Sequence, residues 1–190
     1  MADPERKREP SPKLPGLPER PVQPVRPVRP VTPERRGQPV TIRHLCEVPD
    51  ALPTVARAYV TAWMPYYGPA GPGNAFEDLA GCSHKDQLPI CLLAMDGDTV
   101  VGTVSLRDSS ISHPDVSPWG TALLVLPERL GQGVGSQLVA ALEDVAREHG
   151  FKKLYMSTDT ATVLLLKRGW RQIDTAQSLR GPVAVCMCDL

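Results

Sequence analysis

Val125-Leu126-Pro127-Glu128-Arg129-Leu130-Gly131-Gln132-Gly133-Val134-Gly135-Ser136-Gln137-Leu138 joins two kinds of periodicity. Before it, residues 121–126 have the apolar composition of a buried strand, and Pro127 stops them. After it, Leu138, Ala141, Leu142 and Val145 recur at three- and four-residue spacing, with Glu143, Asp144, Arg147 and Glu148 mostly on the other face, which predicts an amphipathic helix. Gly150 is placed to end that helix as its C′ residue. The glycines at 131, 133 and 135 therefore occupy a strand-to-helix turn. There the unpaired N–H groups of the first helical turn, and the positive end of the macrodipole, face whatever docks. Lacking Cβ atoms, such a turn lets a diphosphate approach the main chain closely. A glycine turn also serves plain strand-to-helix packing, so its surroundings decide the reading. A dinucleotide-binding fold carries its glycines early in the chain with an acidic residue about 20 positions on, and a Walker loop needs Gly-Lys-Ser/Thr. Here Gly135 precedes Ser136 and Gln137, and three or four predicted strands come first.

Those strands begin with Val40, Ile42 and His44 alternating with Thr41 and Arg43. Asp50 is placed to cap a helix over residues 50–63, whose apolar face is Leu52, Val55, Ala56, Tyr59, Val60 and Trp63. Pro65 and the glycines between 68 and 73 end it, and a short helix follows over 75–80. Residues 88–94 and 100–106 flank Asp96-Gly97-Asp98 and read as a hairpin; 107–118 reads as a surface loop. Beyond the long helix, 153–157 is a strand, 161–167 a short helix capped by Asp159 or Thr160, and 170–173 and 183–188 are two last strands. The order β-α-α-β-β-β-α-β-α-β-β predicts one α/β domain over residues 38–190, a mixed central sheet with helices on its faces.

Residues 1–37 are of another character. Of the 21 prolines, eleven fall before residue 40, and from Pro12 to Pro33 one stands at every third position. That is the period of polyproline II, so this tail reads as a disordered Pro/Arg-rich spacer or as a PxxP ligand for a partner domain, with Arg20, Arg26 and Arg29 between the prolines. Nine Lys/Arg against five Asp/Glu make the tail basic, and twelve against sixteen make the rest mildly acidic, so no general basic face for nucleic acid is expected. No apolar run approaches the roughly 20 residues that span a bilayer. The N-terminus is too rich in proline and charge for a signal peptide, which predicts a cytoplasmic protein. Five cysteines without C-x-x-C spacing read as buried or free thiols, with no metal site; Cys186 and Cys188 face the same way in a strand.

Residues 125–138 closely resemble motif A of the GNAT superfamily of N-acetyltransferases. A second marker, Ala161-Thr162-Val163-Leu164-Leu165-Leu166-Lys167-Arg168-Gly169-Trp170, is similar to that family's final helix and the Gly-Phe or Gly-Trp that ends it. The element order also matches from about residue 40 to 190. What the resemblance implies is a sheet whose fourth and fifth strands splay apart so that acyl-CoA wedges between them. The backbone of Leu123 and Val125 would pair with the pantetheine arm, and Gly131, Gln132, Gly133, Val134, Gly135 and Ser136 would hold the pyrophosphate.

Three positions depart from the family pattern. Leu130 stands where a Gln or Arg is usual, with Arg129 one place early; Leu165 replaces a Tyr that serves many members as general acid; Thr158 stands in the region of a frequent Asn. The reaction the resemblance implies is direct attack of a neutral amine on the thioester, with backbone amides stabilising the oxyanion. Neutralising an alkylamine at pH 7 costs about 4.6 kcal/mol, an α-amine about 1.1 kcal/mol, so a base matters most for the first. Residues 119–126 contain no Asp, Glu or His. The catalytic residues are thus unassigned, with Tyr155 as a substitute acid, and His113, Asp115, Glu77 and Asp78 as bases, for candidates. Positioning and water-mediated proton removal are the expected chemistry. Trp63, Tyr66, Tyr67, Phe76 and Trp119 fall where that fold borders its acceptor cleft; aromatic walls suit an amphipathic or cationic amine, and the same residues also suit a plain core.

The function expected is acetyl transfer from acetyl-CoA to the amine of a small molecule. Acetylation of a protein N-terminus or lysine is an alternative, as is a non-catalytic acyl-CoA-binding module recruited through the proline-rich tail.

Overall fold

A strand buried on both faces reads as an unbroken apolar run, and Ile90–Asp96 is one, with every residue before Asp96 buried. The computed structural model describes residues 40–110 and 115–190; the proline-rich residues 1–37 and His113 lie outside them. Seven strands form one sheet: β1 Thr41–His44, β2 Ile90–Asp96, β3 Thr99–Arg107, β4 Trp119–Val125, β5 Lys153–Thr158, β6 Arg171–Ser178 and β7 Gly181–Asp189, in spatial order β1-β2-β3-β4-β5-β7-β6. Every pairing is antiparallel except β4 with β5, which run parallel because α4, Val134–Glu148, crosses between them. This is the mixed sheet flanked by helices that the element order predicts.

Each face carries its own core. On one, Leu138, Val139, Leu142 and Ala146 of α4, all fully buried, pack on Leu92, Val104, Leu106, Leu154, Met156 and Cys186. The helix comes close because Gly120 lies under it: a Cβ there would stand 2.7 Å from Leu142 Cδ2 and 2.6 Å from Met156 Cε. On the other face, α1 (Leu52–Ala62), α2 (Met64–Tyr67) and α3 (Ala75–Ala80) bury Val55, Tyr59 and Leu79 against Cys91, Leu93 and Met95. The last helix, α5 (Thr162–Lys167), adds Leu165 to the α4 core.

Several local expectations are corrected. Asp50 does not cap α1: it lies in a 3₁₀ turn over Pro49–Ala51, and the N-cap position falls on Ala51. Pro65 does not end the helical segment, because it occupies the first turn of α2, where a proline is tolerated. The turn before α5 is held by Thr158, whose Oγ1 accepts from the N–H groups of Thr160 and Ala161, rather than by Asp159 or Thr160. Both final strands are longer than their apolar centres.

Glu143, assigned by helical spacing mostly to the polar face, is only 8% exposed. Its Oε2 accepts from Arg168 Nη2 at 2.7 Å, and its Oε1 from Arg168 Nε at 3.2 Å and Trp170 Nε1 at 2.8 Å. One carboxylate thereby ties α4 to the residues leading into β6, and its charge is matched by a fork of donors. Removing it strands a covered guanidinium and an indole N–H. Glu143→Ala is expected to destabilise the fold by about 3 kcal/mol, read as a lower urea midpoint at unchanged slope.

Candidate active site

Strand β4 has a complete partner on one side only. Against β5 it makes two pairs, Trp119 with Tyr155 and Gly120 with Met156, and there the pairing stops. Against β3 the ladder continues to Val125, interrupted by a bulge: Ser105 pairs with Thr121 and Thr103 with Leu124, so two residues of β4 face one of β3. Ala122 sits within that bulge at φ 53°, a left-handed conformation unusual for alanine. Leu126 N–H donates to Val101 O at 2.9 Å. By strand alternation Val125, and Leu123 before it, direct N–H and C=O away from β3 to the open edge. Their side chains reach the α4 core, whereas Ala122 and Leu124 reach the α1 core. At the start of this edge Thr121 Oγ1 is buried without a hydrogen-bond partner.

The open edge leads into the glycine turn. Gly131 and Gly133 adopt φ of 72° and 84°, and a Cβ at either would meet nothing within 4 Å. Both glycines are thus required by backbone conformation, and both leave open space. Gly133 is the N-cap of α4, no side chain caps the helix, and no acidic residue occupies its first turn. The first-turn N–H groups and the positive helix end face that space. Gly135 is different, since its added Cβ would stand 3.1 Å from Leu164 Cδ1. Gln132 Nε2 donates to Glu128 O at 2.9 Å, and Ser136 Oγ accepts from Arg168 Nη1 at 3.2 Å. Arg129 is drawn into an ion pair with Asp96, and Leu130 is exposed.

On the opposite face, aromatic rings gather around the bulge. Tyr59 meets Trp63 edge-on at 4.9 Å between centroids, Tyr66 meets Tyr67 at 4.8 Å, and Trp63 and Tyr67 pack with Ala122 and Leu124 against the α1 core. Trp119 is fully buried; its Nε1 donates to Val116 O at 2.7 Å and its ring lies 5.6 Å from that of Tyr155. Phe76 is half exposed on α3.

Among the described residues, the acid and base candidates sit on β5, in the turn before β4 and on α3. Tyr155 is half-buried beside Trp119 at the last β4–β5 pairs, Asp115 is exposed in a turn, and Glu77 is exposed on α3. Asp78 Oδ2 accepts from Tyr67 Oη at 2.8 Å, which engages it within the helical layer. Leu165 is fully buried, so that position belongs to the core. Sequence reasoning missed Arg168, the donor to Ser136. Its one local signal is its place beside Gly169, at the end of the second motif.

The four buried thiols supply no nucleophile either. Burial pushes the Cys91 thiol up to about 11 and that of Cys188 to about 12, and raises Cys82 and Cys186 as well. Among the described residues no group of three or more His, Cys, Asp or Glu is placed to hold a metal ion, and no helix is long and apolar enough to cross a membrane.

A sheet splayed between two parallel strands, with a glycine cradle at the helix that follows, defines an acyltransferase-type fold. The chain belongs to the acetyltransferase (GNAT) family, whose profile matches residues 54–170, more than half of its 190 residues. Among solved structures it is similar to an aminoglycoside 6'-N-acetyltransferase complexed with coenzyme A (14% identity, 78% of this chain and 96% of that one, TM-score 0.63). It is likewise similar to the aminoglycoside 6'-N-acetyltransferase from Enterococcus faecium (15% identity, 78% and 96%, TM-score 0.62). A third is the GNAT domain of S. lividans PAT (21% identity, 80% and 90%, TM-score 0.59). Comparison with the curated proteins finds no match.

Of the five thiols only Cys46 is not buried. Iodoacetamide at neutral pH is expected to add one group to the native protein, at Cys46, and five after unfolding, as mass spectrometry of the digested chain would register.

Proposed function

We propose that this chain transfers an acetyl group from acetyl-CoA to an amine, a small-molecule amine in the leading reading. The observation that carries it is the unpaired edge of β4 running directly into an uncapped, glycine-lined helix N-terminus. Leu123 and Val125 would offer their main-chain groups to the amides of the pantetheine arm, as a neighbouring strand does. The N–H groups of residues 131–136 would receive the pyrophosphate, with the side chains of Gln132 and Ser136 at the rim. The residues present fit such a ligand: open space over Gly131 and Gly133, and the orphaned Thr121 hydroxyl at the mouth of the splay. Bound there, acetyl-CoA supplies an activated acyl carbon.

The amine nitrogen forms a C–N bond as the C–S bond breaks, and the proton lost by the amine leaves through water as the thiolate becomes a thiol. Side chains of this chain contribute by excluding solvent and orienting. Trp119 and Tyr155 close the narrow end of the splay, and Trp63 and Tyr67 wall the acceptor face. Backbone N–H groups at the bulge around Ala122 would stabilise the developing oxyanion. The proton path through water is supported by β4 itself, Trp119–Val125, which contains no Asp, Glu or His. The free thiols suit a reducing, cytosolic setting. A PxxP-binding partner for residues 12–33 is carried by their spacing alone.

A second reading, a non-catalytic acyl-CoA-binding module, is favoured by one observation: Leu165 is committed to the core, so the family's acid is missing. Acetyl transfer across an amine panel separates the two, because tight binding of acetyl-CoA without transfer to any amine leaves only the module.

Gly133→Asp adds bulk and negative charge in the cradle and is expected to weaken acetyl-CoA binding more than about 100-fold, the loss of two charge-assisted hydrogen bonds. Calorimetric titration of the folded variant checks it, and retained affinity would sink the cofactor assignment. The pH–rate profile is expected to show no essential group in the histidine range. A profile that does, and loses it in His113→Ala, would replace the water path with a histidine base.

A further inference from the structure

The splay is open in the sheet but crossed above it. Arg180 lies in the turn between β6 and β7. Its Nη1 donates to the main-chain O of Ala62, the last residue of α1, at 2.9 Å, and its Nη2 is ion-paired with Asp159 Oδ2, one residue past the end of β5. The two partners belong to different walls. Trp63, next after Ala62, packs against the α1 core, which covers β2 and β3, so Ala62 belongs to the β1–β4 half of the sheet. Asp159 continues β5. The guanidinium therefore joins two walls that the sheet leaves unjoined beyond Gly120 and Met156. The strap is partly covered, with the side chains of Arg180 and Asp159 at 34% and 29% exposure. A planar guanidinium that serves a carbonyl and a carboxylate at once has its orientation fixed by both.

The face it crosses is the one an acceptor has to use. The other face of β4 and β5 is filled by α4 and its core, where Leu138, Leu142, Leu154 and Met156 are buried. The way to the open edge is thus from the α1 side, between the aromatic rings and the end of β5. A lysine within a polypeptide brings main chain on both sides of its stem and an N-terminus brings it on one, and in either case that chain has to lie along the channel between α1 and β5. A small amine brings none.

We propose that Arg180 is a specificity-determining residue, a strap that admits the slim amine of a small molecule and refuses a lysine or N-terminus carried on a polypeptide. This rests on the acetyl-transfer reading above and names its acceptor class. Size is selected here by obstruction of the wrong substrate, independently of how the right one is gripped.

The test uses the full chain with acetyl-CoA and two acceptors, phenethylamine and a short unstructured peptide with one lysine and a free N-terminus. The wild type is expected to acetylate phenethylamine in clear preference to the peptide. Arg180→Ala is expected to raise the peptide-to-amine ratio of kcat/KM about fivefold, the shift for losing one partly exposed ion pair, at unchanged acetyl-CoA affinity by calorimetry. Asp159→Asn, which leaves Arg180 in place, is expected to move the ratio in the same direction and guards against misfolding of the first variant. A wild type that prefers the peptide, or a ratio unmoved in both folded variants, overturns the strap and leaves the acetyl-transfer reading standing. A wild type that binds no acetyl-CoA, or transfers to neither acceptor nor any other amine, removes the reading itself and the strap with it.

Discussion

Backbone N–H and C=O groups inside a fold need partners, and β4 meets that need on one side while withholding it on the other. The pairing with β5 ends at Gly120 and Met156, after two pairs, whereas β5 and β7 share six. The rest of the molecule is arranged around this unfinished ladder. The bulge at Ala122 bends β4 while its other edge stays hydrogen-bonded to β3. Gly120 brings α4 down onto the last closed rung, and the same helix starts, at Gly133, where the open edge runs out. An edge strand presented to solvent invites indiscriminate pairing; here it is recessed between two helical layers, so that a narrow, extended, amide-bearing partner is the kind that fits.

A sheet divided in this way needs another tie, and Glu143 provides it. Its carboxylate is drawn below the surface of α4 by the fork of Arg168 and the indole of Trp170. The same Arg168 reaches Ser136 in the first turn of α4. Structure and proposed chemistry are therefore coupled: the group that holds the second half of the sheet to the helix also fixes a hydroxyl at the rim of the cradle. A buried ion pair is an expensive way to gain stability but an effective way to fix geometry.

Much of the fold was legible because its signals are local. The 3.6-residue period of α4, the apolar runs of β2 and β4, and the glycines at 131 and 133 act over a few residues, and the residues that carry them are adjacent in the chain. What was not legible depends on partners far away. Glu143 looks like a surface residue until Arg168 and Trp170, about two dozen positions on, are brought beside it. Arg180 gives no sign that it will reach back to Ala62. Pro65 reads as a stop, yet the first turn of a helix tolerates it equally well. Residues 174–178 of β6 are exposed at every position but one, so neither alternation nor apolar content marks them as strand. In the candidate site the glycine turn was readable and a proton-handling group was not, because a strand without Asp, Glu or His leaves any such role to loops whose placement is set by tertiary structure.

The two-pair contact between β4 and β5 also has a mechanical meaning. The sheet consists of two stiff plates, β1 to β4 and β5 to β7, joined along a seam only two residues wide at Trp119–Gly120 and Tyr155–Met156. A thin seam bends before thick plates do. Rotation about it changes the width of the slot and strains the α4 core, which packs on both plates, so that α4 acts as the spring that resists it. A change packed anywhere against that seam, even one touching neither ligand, would therefore alter how wide the slot rests.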